Sequence, residues 1–201
     1  MNKNGSACKL SIDDVPLNTV DRHILRERLI TVPQDPVFLP AGSTVAQNLD
    51  PLDEATPDQC ESVLRDIGLW HVVEQLGGLG AELHETALSQ GQRQLFNLAR
   101  AVLKRRTSQR SLLLLDEFTA SVDADTERGM LKLVEQEFQG CTIVMISHRL
   151  DMVLEMFDTV MVMDKGMLVE SGSPQVLRDT EGSRFAKLVE AASPTPCTTN
   201  R

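Results

Sequence analysis

Residues 88–123 read LSQGQRQLFNLARAVLKRRTSQRSLLLLDEFTASVD, and the order of features in this stretch decides the fold. Ser89 and Gln92 have capping-box spacing, in which each side chain accepts a hydrogen bond from the other residue's backbone N–H. Leu95, Leu98, Ala99, Val102 and Leu103 then recur at helical spacing, predicting an amphipathic helix. Lys104, Arg105 and Arg106 complement the dipole at its C-terminus. Leu112 to Leu115 predict a buried strand that ends in Asp116-Glu117, at the carboxyl edge where open α/β sheets bind ligands. Ser121-Val122-Asp123 forms the next turn, and Asp123 reads equally well as a plain N-cap. A helix over Thr126 to Phe138 with Met130, Leu131, Val134 and Phe138 inward leads to Thr142–Ile146, a second expected buried strand. Strand, helix and strand predict a parallel crossover. His148 follows that strand's carboxyl end, where a histidine is in general more often structural than catalytic.

Upstream, Lys9 to Ile12 alternates like a short strand, and Asp21 to Arg28 has the length of a brief helix before the Leu29–Val32 strand. Pro33 and Pro36 force an extended loop around Gln34. Thr56-Pro57-Asp58-Gln59 is a helix start with proline at the first position and a capping-box glutamine, and Val63, Leu64 and Ile67 supply its buried stripe. The segment from Pro36 to Leu88 therefore reads as a mainly helical insertion between two strands. Downstream, Val160–Met163 and Leu168–Glu170 flank Asp164-Lys165-Gly166, a hairpin signal. Helices at Pro174–Asp179 and Arg184–Ala191 close the domain, and the tail 193–201 is expected to be disordered.

The chain has 201 residues, 41% of them hydrophobic, enough for one domain with a core. Its apolar runs reach only four or five residues, far short of the ~20 that span a bilayer. No secretory signal is legible at Met1 to Gly5. A formal charge of −9 argues against nucleic acid as a partner. Cys8, Cys60, Cys141 and Cys197 form no CxxC, which disfavours a zinc site or disulfide framework.

Taken together, Gln34 in its proline loop, Leu88-Ser89-Gln90-Gly91-Gln92, Asp116-Glu117, Ser121-Val122-Asp123 and His148 stand in the order of the Q-loop, signature motif, acid pair, D-loop and switch histidine. The chain thus resembles the nucleotide-binding domain of ATP-binding cassette (ABC) transporters from about Lys9 to Ala191. Pro36-Val37-Phe38-Leu39, Asn48-Leu49-Asp50-Pro51, Leu69-Trp70 and Gly77-Gly78-Leu79 further resemble the second cassette of multidrug-resistance-associated (subfamily C) exporters, fungal ones above all.

The resemblance implies an α/β, P-loop NTPase-like cassette over residues 1–192, with a parallel sheet core and a helical subdomain at about 40–105. It implies ATP and Mg²⁺ as cofactors, with Gln34 and Asp116 on the metal, Glu117 polarising the attacking water and His148 contacting the γ-phosphate. Ser89, Gly91, Gln92 and Asp123 would face nucleotide across a head-to-tail interface with another nucleotide-binding domain. A transmembrane domain of an exporter is the other implied partner, which puts the cassette at the cytoplasmic face of a membrane.

The departure from the family lies in the phosphate cradle, because a P-loop needs Gly-Lys-Ser/Thr and no glycine here precedes a lysine. The aromatic A-loop, the first core strand and the P-loop with its helix are all missing upstream of Lys9, so the Walker A lobe is expected to be absent. Weak ATP binding, negligible turnover and marginal stability are the corresponding expectations for the chain alone. A non-catalytic module that offers its signature to a partner's ATP is the alternative. A chromosome-maintenance head domain would want coiled-coil heptads, which do not occur.

Overall fold

The computed structural model describes residues 10–108, 110–120 and 122–192. Lys9, Ser121 and the tail 193–201 lie outside them, as does anything expected of those positions. The chain divides between Ile146 and Ser147 into two compact units.

The first unit opens with a two-residue antiparallel pair, β1 (Ser11–Ile12) and β2 (Val15–Pro16). Asp13 and Asp14 between them both adopt positive φ, the geometry of a tight hairpin turn. Asp21 caps α1 (Arg22–Arg28) by accepting from the His23 N–H at 2.7 Å, and β3 (Leu29–Val32) follows directly. Between β3 and the next strand the chain inserts helices. These are α2 (Val45–Leu49), α3 (Pro57–Asp66), α4 (Trp70–Leu76) and the long α5 (Gln90–Thr107). Thr44, Thr56 and Ser89 each close a full capping box at the starts of α2, α3 and α5. The Thr44 box was legible as Thr-x-x-Gln, yet a five-residue helix has too few turns to show an apolar period.

β4 (Leu112–Asp116), α6 (Ala124–Glu137) and β5 (Thr142–Ile146) complete this unit. β4 pairs in parallel with β3 on one side and β5 on the other, giving the order β3-β4-β5. The stripes expected on α3 and α6 are buried, as is the face of α5 carrying Leu98, Ala99, Val102 and Leu103; Leu95 is only half-buried.

Two expectations are corrected. Leu113 and Leu115 are buried, but Leu112 and Leu114 alternate with them at the half-buried face. β5 departs further: Val144 is 41% and Ile146 57% exposed, because among the described residues this strand pairs only with β4. Four consecutive apolar residues, Ile143 to Ile146, read as a buried central strand, but burial depends on pairing that local sequence does not encode.

In the second unit, α7 (Leu150–Met156) precedes the antiparallel pair β6 (Val160–Asp164) and β7 (Met167–Gly172). Lys165 and Gly166 take positive φ, so the expected hairpin turns on two residues. Helices α8 (Pro174–Asp179) and α9 (Arg184–Ala192) pack with it around Val153, Val162 and Phe185. Glu170 accepts from the Ser183 hydroxyl and from the N–H groups of Arg184 and Phe185, holding the start of α9. The Phe185 N–H, then the Ser183 hydroxyl, keep its carboxyl below the usual range.

Candidate functional site

Asp116 is exposed at the carboxyl end of β4, and Glu117 follows it in the left-handed region at φ 43°. The surrounding turn is pinned on three sides. The Glu117 N–H donates to the Ile146 carbonyl at 3.1 Å, and the Ala120 N–H donates to the Glu117 carbonyl at 3.0 Å. The buried Thr119 hydroxyl donates to Glu127 Oε1 at 2.9 Å. With its backbone fixed, the Glu117 side chain accepts a hydrogen bond from Gln34 Nε2 at 3.2 Å. These two expected site residues stand 83 positions apart in the chain and meet here.

Ser89 Oγ accepts from the Gln92 N–H at 3.2 Å, and Gln92 Oε1 accepts from the Ser89 N–H at 2.8 Å. That reciprocal cap fixes the first turn of α5, at the positive end of the helix dipole. Gly91 sits on this first turn, where an added Cβ would come 3.6 Å from Val122 Cγ1. The signature segment therefore lies against the loop that leads to Asp123.

Asp123 is the N-cap of α6. Its carboxylate accepts from the N–H groups of Asp125 and Thr126 at 3.0 Å each and from the Thr126 hydroxyl at 2.6 Å. The Thr126 hydroxyl, then the Thr126 N–H, hold its carboxyl below the ordinary aspartate value. A carboxyl whose folded pKa is depressed stabilises the fold above its unfolded pKa of ~3.9 and loses that contribution as pH falls through the folded value. Asp123→Asn keeps a good cap and removes only the charge. Its stability deficit should therefore be present at neutral pH and vanish once both forms are uncharged, which urea unfolding at a series of pH values would show.

His148 is exposed in the second unit, in the segment before α7. The residues that expectation missed lie on α5. Gln94, Asn97 and Arg100 carry hydrogen bonds to the Gln34 loop and to α2. Their signal was polar residues spaced by three beside the apolar stripe of an amphipathic helix.

The family model described as ABC transporter matches residues 3–120. This chain belongs to the ABC transporter family. It is 49% identical over 183 residues to ABC transporter FGM5 of Gibberella zeae, a match covering 88% of this chain and 12% of that protein. It is 46% identical over 190 residues to ABC-type transporter braE of Annulohypoxylon truncatum, covering 89% of this chain and 13% of that one. Among solved structures, a bacterial Atm1-family ABC exporter with ATP bound superposes with a TM-score of 0.78 at 28% identity, over 92% of this chain and 32% of that one. The chain thus has the α/β ABC cassette fold of an exporter's nucleotide-binding domain, and it spans about an eighth of the length of the fungal transporters it matches. No described helix is long and apolar enough to cross a membrane.

Proposed function

We propose that the chain serves as part of the ATP-hydrolysing domain of a membrane exporter, of the type represented by the second cassette of subfamily C transporters. The observation that carries this reading is the Gln34–Glu117 hydrogen bond at 3.2 Å beside the exposed Asp116. Glu117 is the base that orients and polarises the attacking water. Asp116 and the Gln34 amide oxygen, the atom not engaged with Glu117, are hard oxygen donors that suit Mg²⁺. Among the described residues no three His, Cys, Asp or Glu side chains form a cage. A magnesium ion here would therefore rest on one or two side chains, phosphate oxygens and water. When bound, Mg²⁺ neutralises charge on the terminal phosphates.

Ser89, Gly91 and Gln92 present a capped helix start to the γ-phosphate of ATP held by an opposing cassette. Asp123 shapes the adjoining loop, and His148 acts on the γ-phosphate. A transmembrane domain receives the resulting motion, at the cytoplasmic face of its membrane. Without Gly-Lys-Ser/Thr, these residues alone would hold ATP weakly.

The intact cap at Ser89 also fits a second reading. In it, the chain completes a partner's site and turns nothing over itself.

Mixing the chain with a purified cassette that has an intact phosphate loop tests both. ATP with Mg²⁺ should drive association in sedimentation, and Gly91→Asp should weaken it at least ~10-fold by repelling phosphate. The same substitution suits a helix N-terminus and leaves the fold intact. Phosphate release that rises on mixing and falls with Glu117→Gln supports the enzyme reading. Association with release indifferent to Glu117 supports the module. Association that Gly91→Asp does not weaken sinks both.

A further inference from the structure

The Gln34 loop has few hydrogen-bond donors of its own, because Pro33 and Pro36 carry no N–H. Its carbonyl groups still need partners. One helix supplies three of them. Asn97 Nδ2 donates to the Pro33 carbonyl at 3.0 Å, Gln94 Nε2 to the Gln34 carbonyl at 2.5 Å, and Arg100 Nη1 to the Val37 carbonyl at 2.5 Å. Residues 94, 97 and 100 form one i, i+3, i+6 ridge on α5.

We propose that Gln94, Asn97 and Arg100 are positioning residues that set the Gln34 loop, and with it the Gln34–Glu117 contact, from the helix whose N-terminus carries the signature motif. The proposal rests on the reading of Gln34 and Glu117 given above.

Burial singles the row out. Gln94 is 3% and Asn97 4% exposed, on a helix whose other buried side chains are all apolar up to Leu103. Gln94 Oε1 is itself buried with no hydrogen-bond partner. An orphaned amide oxygen costs stability, so an apolar residue of similar shape would serve the core better. The donor toward the Gln34 carbonyl is what glutamine adds.

Arg100 extends the row to the helical insertion. Its Nε donates to the Asn48 carbonyl at 2.6 Å, and its guanidinium lies 5.1 Å from the ring centres of both Phe38 and Phe96. Burial lowers its pKa to about 10, which still leaves it charged at neutral pH. A planar fork that bonds two carbonyls and stacks on two rings is not reproduced by lysine. Movement of the α5 N-terminus on meeting a partner's phosphate would therefore be passed to three consecutive anchor points of the loop. Gln34 directly follows the first proline of that loop and is the residue that bonds Glu117.

Amide exchange and NMR on the full, isotope-labelled chain test the row. Gln94→Glu keeps the shape and replaces the donor by an acceptor. It should speed exchange of the Asp35, Val37 and Phe38 amides at least ~10-fold, leave the α3 and α6 amides protected, and move the Gln34 side-chain amide resonance toward a solvated value. Arg100→Lys should do the same at Val37 and Phe38, and it serves if Gln94→Glu does not fold. Unchanged exchange at these amides in a folded variant overturns the proposal. In the unaltered background, Glu117→Gln should shift the Gln34 side-chain resonance. If that resonance does not move while the exchange effects persist, the Gln34–Glu117 pairing is the part that fails.

Discussion

Replacing Glu117 with glutamine is expected to reduce the ATP turnover that this chain's own site adds to the assembled cassette pair by ~10²–10⁴-fold, the usual contribution of a positioned acid or base, with no loss of fold. The side chain's shape is kept, and the amide oxygen can still accept from Gln34 Nε2. Only the basicity disappears. The backbone makes the same point by another route. Glu117 holds φ at 43°, a conformation that costs a non-glycine residue about 1 kcal/mol. Its backbone N–H bond to Ile146 would be kept by any residue except proline, and the side-chain bond from Gln34 that glycine would lose is exposed and contributes little. Glu117→Gly should therefore match the parent chain in thermal unfolding while losing turnover as fully as Glu117→Gln. Left-handed backbone at a non-glycine residue is a feature that clusters at functional sites. If phosphate release by the pair is the same with Glu117→Gln, Glu117 is not the base.

Phe96→Ala is expected to cost about 3–5 kcal/mol of stability, as for other fully buried phenylalanines cut back to alanine. Phe96 is 1% exposed on α5, its ring centre 5.7 Å from that of Phe38 and 5.1 Å from the Arg100 guanidinium. Removing it opens a cavity and leaves half of the arginine's aromatic seat empty. A typical domain has only about 5–15 kcal/mol in total, and one edge of this sheet presents Val144 and Ile146 to solvent. The variant should show a sharply lowered urea midpoint, followed by fluorescence of Trp70, the one tryptophan of the chain. Phe96→Leu, which keeps most of the volume, should recover much of the loss. A change below about 1 kcal/mol for Phe96→Ala would mean that the core relaxes around α5 and does not depend on it.

What local sequence could encode, it encoded well. The capping boxes at Thr56 and Ser89, the proline at the start of α3, the Lys165-Gly166 turn and the acid-tipped β4 are all decided by residues within a few positions of one another. Helices α2, α4 and α7 have five or seven residues each, too short for an apolar period to stand out. The exposure of β5 depends on which strands flank it, a property of the whole sheet. Within the candidate site, Gln34 and Glu117 could each be singled out by motif, but their contact bridges 83 positions. Gln94 and Asn97 would ordinarily be assigned to a solvated helix face, and only the proline loop packed over them explains their burial.

We propose that these residues supply the acid pair and the signature surface of an ABC cassette, in a sequence that contains no Gly-Lys-Ser/Thr. Calorimetric titration of ATP and Mg²⁺ into the folded Glu117→Gln chain tests it most directly, with turnover blocked by the substitution. The account predicts binding no tighter than about 1 mM, roughly −4 kcal/mol. Micromolar binding at one ATP per chain would contradict it, and would mean that another segment of this chain wraps the phosphates.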